Sequence, residues 1–118
     1  MKGLVVTPDC KVYVKNYGDP LYITVGKTVG GDIELVRPKR LCRPYVMLVN
    51  EDGINMHLPF NPVGSYYYQT DLHGWPILGT AVFMKEGMTE KGPDLVGLTD
   101  EELQNLEEEI ERLTKKFR

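Results

Sequence analysis

PYVMLVNEDGINMHL, residues 44–58, opens on an unbroken apolar run and then meets a turn. A strand with one wet face alternates apolar and polar side chains. Tyr45 to Val49 does not, which predicts a central strand covered on both faces. Asn50-Glu51-Asp52-Gly53 predicts a tight turn, because Asp-Gly tolerates the positive φ that short hairpins need. Ile54 to Leu58 is then expected to return as the next strand, ended by Pro59.

Outward from this stretch the chain keeps reading as short strands. Gly3–Thr7 and Lys11–Tyr17 flank the turn-prone Pro8-Asp9-Cys10, and Val12 and Val14 share one face of the second. In LYITVGKTVGG, after Pro20, β-branched residues weaken a helix. Leu21, Val25 and Thr28 or Val29 nevertheless form a helical stripe, and Gly30-Gly31 is a good stop, so a short helix is expected. Asp32–Arg37 alternates, with Ile33 and Leu35 on one face. Pro76–Lys85 is the last strand expected, and Gly79 within it marks a bulge or a close backbone approach.

The C-terminal segment is a helix by several signals. Thr99 and Glu102 make a capping box, Leu98 is placed to staple on Leu103, and charges run from acidic to basic along the helix dipole. Leu103, Leu106, Ile110, Leu113 and Phe117 recur at spacings of three and four, a narrow heptad seam. The expected architecture is α+β: a largely antiparallel sheet of five or six strands with one short helix and an amphipathic C-terminal helix. Residues 1–97 form one domain, and 98–118 pack on it or on a second subunit. The narrow stripe, flanked by Glu107, Glu108, Glu111 and Arg112, favours a homo-oligomer built on a dimer, with the five seam residues as its interface.

Composition sets the outer bounds. At 118 residues, 42% hydrophobic and 26% charged, the chain is one ordinary globular domain. Its net charge of −3 gives no general attraction to duplex nucleic acid. No apolar run approaches the roughly 20 residues of a membrane helix, and MKGLVVTPDC lacks the features of a signal peptide. Cys10 and Cys42 could in principle pair, but two free thiols in a cytoplasmic protein are the reading expected first.

No catalytic signature is present, and no enzyme is expected. His57, His73, Asp71 and the two cysteines lack metal-ligand spacing. Gly26-Lys27-Thr28 ends like a phosphate-binding loop, but Leu21 stands where that loop needs its first glycine. Ser65 has no identifiable base, and Glu34, Glu51 and Asp52 read as solvent-facing. Neither metal nor cofactor is expected.

Two constellations remain. RPKRLCRP, residues 37–44, holds Arg37, Lys39, Arg40 and Arg43, four of the fourteen basic residues. Guanidinium forks suit a phosphate or carboxylate, so the segment is a candidate anion cradle or else a solvated loop. LPFNPVGSYYYQTDLHGW, residues 58–75, gathers Phe60, Tyr66, Tyr67, Tyr68 and Trp75. If extended, it puts Tyr66 and Tyr68 on one face and Tyr67 on the other, part core packing and part contact surface.

VGGDIELV (29–36), LVNEDG (48–53), LPFNP (58–62) and ILGTAVF (77–83) follow one another in an order that resembles a family of short phage and prophage-type domains of unknown function. The resemblance runs to about Phe83, with the terminal helix as a variable extension. The basic segment 37–44 and the aromatic insertion 64–75 are departures from it. It implies a viral or mobile-element setting, in which small non-enzymatic proteins counter host defences. The function expected first is therefore sequestration of a small anionic, nucleotide-like host molecule, in the cytoplasm of the host cell. Arg37, Lys39, Arg40 and Arg43 would hold phosphate, and Tyr66, Tyr67, Tyr68 and Trp75 would stack. The alternatives are inhibition of a host protein through the same aromatic surface, or a structural accessory domain without a ligand.

Overall fold

The computed structural model describes residues 1–41, 44–72 and 74–116. The central apolar run becomes β4 (Tyr45–Asn50), held between β5 (Ala81–Thr89) and β3 (Ile33–Val36) and antiparallel to both. β1 (Lys2–Val6) pairs with the first half of β5 on its other side, and β2 (Val12–Asn16) lies outside β1. β6 (Gly92–Val96) pairs with the second half of β5, completing a six-stranded antiparallel sheet.

Both faces of that sheet are covered. Val46 and Leu48 pack with Val5, Val82 and Met84 beneath α1 (Leu21–Val29), through Val25 and Val29. Met47 and Val49 pack with Leu4, Val6 and Phe83 on the opposite side, beneath α2 (Pro62–Tyr68) and α3 (Asp100–Thr114). Each fully buried aliphatic or aromatic side chain contributes about 1.5 to 3 kcal/mol, which explains why a run with no polar relief sits at the centre. α1 ends as its glycines foretell: Gly30 adopts φ 85° and donates its N–H to Gly26 O at 2.8 Å.

Ile54–Leu58 does not return as a strand. Both edges of β4 are already taken, so the segment folds on itself in turns, with Leu58 N–H bonded to Gly53 O at 3.0 Å. Gly53 does not need a positive φ. A Cβ there would lie 3.3 Å from Leu78 Cβ, so the glycine permits close approach. Ile54 and Met56 are left exposed.

The aromatic stretch is not extended either. Asn61 caps α2, accepting from Gly64 N–H at 2.9 Å, and Pro62 occupies the first turn. The chain therefore has a second short helix. The unexpected β6 forms a hairpin with β5, placing Thr89 opposite Gly92, whose φ is 104°.

α3 begins with the expected capping box: Thr99 Oγ1 accepts from Glu102 N–H at 3.2 Å, and Glu102 Oε1 from Thr99 N–H at 2.9 Å. Its seam corrects the expected oligomer interface. Leu103, Leu106, Ile110 and Leu113 are buried in the chain's own core against the sheet, so they are not free to hold a second copy. Phe117 lies outside the described residues. Among the described residues no helix is long and apolar enough to cross a membrane.

Candidate functional site

The basic segment is clamped to the end of α2. Arg40 donates its backbone N–H to Tyr67 O at 3.0 Å and its Nη1 to Tyr66 O at 2.5 Å. Tyr66 O also accepts from Gln69 N–H at 3.2 Å, so Arg40 adds to the capping of the helix end, where a cation complements the dipole. The same guanidinium stacks 4.5 Å from the Tyr66 ring centroid and reaches Asp71 at 3.4 Å. Arg37 is paired with Glu86. Lys39 is exposed and has no ion pair among the described residues, and Arg43 lies outside them. Two of the cations expected to hold an anion are thus already engaged within the chain.

Helical geometry sends the three tyrosines in different directions. Tyr67, expected to stack on a ligand, is only 1% exposed, edge-on to Phe83 with centroids 5.6 Å apart. Its hydroxyl donates to Glu109 at 2.7 Å. Burial, reinforced by the neighbouring carboxylate, pushes this phenol far above its ordinary range. It is a core residue. Tyr66 is exposed beside Arg40, while Tyr68 is half-buried against Gly74.

Two hollows meet at Tyr66. One, of about 360 Å³, is lined by Arg40, Phe60, Pro62, Tyr66 and Asp71. The other, of about 290 Å³, lies between α2 and α3 and brings Arg112 and Lys116 beside Tyr66 and Tyr67. Neither of these cations has an ion pair among the described residues. Trp75 and Tyr68 line a separate cleft of about 210 Å³ with Glu34, Glu51 and Leu78. No described residue of the basic segment lines that cleft, so among the described residues the expected union of cations and rings is made by Arg40 with Tyr66 alone.

Two buried asparagines hold these surfaces in place. Asn50 donates to Val29 O at 3.1 Å and accepts from Asp52 N–H at 2.7 Å, tying the end of α1 to the turn after β4. Asn61 donates to Val6 O at 3.0 Å and to Gly79 O at 2.9 Å while capping α2. Ser65 also has a structural role, accepting from Ile77 N–H at 3.0 Å.

Sequence reasoning placed Phe60 in the aromatic stretch without making it a site residue, and missed Leu72, Arg112 and Lys116 as surface candidates. The usable signal for Phe60 and Leu72 was Asn61-Pro62, a helix start that strands the neighbouring apolar residues in loops. Phe60 is 54% exposed, Leu72 70% and Trp75 74%.

The chain belongs to the family described as a domain of unknown function, DUF3846, which matches residues 1–116. That span includes α3, which the resemblance had left as a variable extension. No curated protein and no solved structure matches the chain.

Proposed function

We propose that the chain is a non-catalytic binding protein that docks a partner protein through the loop-rich surface of residues 54–75. The observation that carries this reading is the joint exposure of Phe60, Leu72 and Trp75, with Ile54, Met56 and Tyr66, in one short stretch of sequence. Large apolar side chains left in water favour association, and aromatic and Arg residues dominate interface hot spots. The internal pairing of Arg37 and Arg40 turns the reading away from a phosphate held by the basic segment. In the phage setting that the resemblance implies, the partner we propose is a host protein.

A photo-crosslinking side chain at position 75 tests this in cells that carry the protein, with position 22 as control. Tyr22 is exposed on α1, across the sheet. One protein adduct from position 75, absent from position 22 and lost in a Phe60→Ser, Leu72→Ser variant, is expected. No adduct, or the same adducts from both positions, overturns the reading.

A second reading rests on the groove in which Arg112 and Lys116 stand beside Tyr66. Here a small planar anion would stack on the tyrosine while the two cations neutralise it. Native mass spectrometry separates the two readings: a retained small mass lost in Arg112→Glu favours the anion.

A further inference from the structure

The cleft beneath Trp75 has a different chemistry from either hollow at Tyr66. β3 alternates, so Ile33 belongs to the α1 face of the sheet, while Val36 belongs to the core under α2 and α3. Glu34 shares the face of Val36 and lies opposite Val49 in the strand ladder. A carboxylate therefore stands on a face that is otherwise core. α2 reaches the cleft only with Tyr68 at its C-terminal end, and segment 74–78 borders the rest of the gap, leaving the cleft of about 210 Å³.

The lining is specific in what it contains. Val36, Val49 and Ile77 supply an apolar floor, and Tyr68 and Trp75 supply aromatic walls. Glu51 supplies a second carboxylate, its backbone fixed by a 2.9 Å hydrogen bond to Asp32 O. Among the described residues neither Glu34 nor Glu51 makes a side-chain ion pair, and no Lys, Arg or His lines the cleft. Asp32 and Asp52 line an adjoining acidic hollow that shares Asn50 and Glu51.

An anion is repelled by such a site. A hard divalent cation is poorly served, because it needs six or more oxygens and the floor is hydrocarbon. Carboxylates beside aromatic rings over an apolar floor suit a cation carried on a carbon stem. The charge gains from both the carboxylates and the ring faces, and the stem covers the apolar surface. We infer that the Glu34–Glu51–Trp75 cleft is a binding site for an alkylammonium group. This goes beyond the docking proposal and does not depend on it.

Trp75 is the only tryptophan in the sequence, so its fluorescence reports on this cleft. The probe is n-butylammonium chloride, with 1-butanol and potassium chloride as controls for stem and ionic strength. Saturable change in Trp75 emission with the ammonium, absent with both controls and weakened at least tenfold in Glu34→Gln, Glu51→Gln, is expected. Both replacements are on exposed side chains, and an unchanged circular dichroism spectrum verifies the fold. No saturable change, an equal response to 1-butanol, or undiminished binding by the double variant overturns the inference. N-acetyl-lysine methylamide, run alongside, identifies the source of the ammonium. Binding at least as tight as the simple amine supports a protein lysine, and weaker binding supports a free amine.

Discussion

The hydroxyl of Tyr67 donates a 2.7 Å hydrogen bond to the Glu109 carboxylate, joining α2 to α3 across 42 residues of sequence. The contact turns the middle tyrosine of the triplet into a tie between the two helices on one face of the sheet. Tyr67→Phe keeps the ring against Phe83 and loses only this bond, so it should cost about 0.5 to 1.5 kcal/mol. Tyr67→Ala removes the ring as well and should cost about 3 to 5 kcal/mol by urea denaturation.

The same phenol predicts an alkaline limit. Burial first, then the Glu109 hydrogen bond, raise its folded-state pKa above the ordinary 10.0. Below that pH both states keep the proton. Above it the unfolded chain releases a proton that the folded chain retains, so stability falls as pH rises. Tyr17 and Tyr45, also raised by burial, add to the effect. Thermal midpoints should decline above about pH 10, and less steeply in Tyr67→Phe.

Ile110 tests where the seam of α3 is used. It is fully buried in the chain's own core. Ile110→Ala should lower stability by about 2 to 5 kcal/mol without changing the mass measured by light scattering. A clean change of mass with stability intact would return the seam to an intermolecular role.

Thr99 and Lys85 converge on Glu102. Burial raises the Glu102 pKa, but hydrogen bonds from Lys85 and Thr99 outweigh it and hold the carboxyl below its ordinary 4.5. That stabilisation is present above pH 4.5 and is lost as pH falls through the lower folded-state value. Thr99→Ala should cost about 1 kcal/mol at neutral pH. Its deficit relative to the parent should shrink in acid, as followed by helical circular dichroism.

Asn61 should be the least replaceable polar residue. Asn61→Ala leaves Val6 O, Gly79 O and Gly64 N–H without the partners described above. A loss of about 2 to 3 kcal/mol is expected. Trp75→Ser, by contrast, should change stability by less than about 0.5 kcal/mol, because the indole is largely in water.

The parts legible in the sequence were those where a local rule and the tertiary setting agree. Tyr45–Val49 had no polar side chain to offer solvent, and Thr99 with Glu102 specified a helix start without help from the rest of the chain. Ile54–Leu58 failed because strand pattern alone does not tell whether a neighbouring edge is vacant. The three tyrosines were misread through their period: at strand spacing Tyr66 and Tyr68 share a face, whereas about 100° per residue in a helix separates them. Arg40 combined both difficulties. Its cationic character was evident, but its partners, Asp71 and the Tyr66 carbonyl, lie about thirty residues away and come close only once α2 forms.

The placement of β5 also governs the order in which the molecule is made. β1 with β2 and β3 with β4 are hairpin-like pairs that share no edge with each other, and Leu4, opposite Val14 in the first pair, meets its second sheet neighbour only when Phe83 arrives. A nascent chain ending before residue 81 therefore carries two separate strand pairs, with the inner edges of β1 and β4 unpaired. Emergence of β5 joins them at once and brings the centre of the sheet together. Assembly through so distant a pairing is slow relative to local hairpin closure. A ribosome stalled short of β5 should leave a chain more prone to proteolysis and aggregation than one stalled after it.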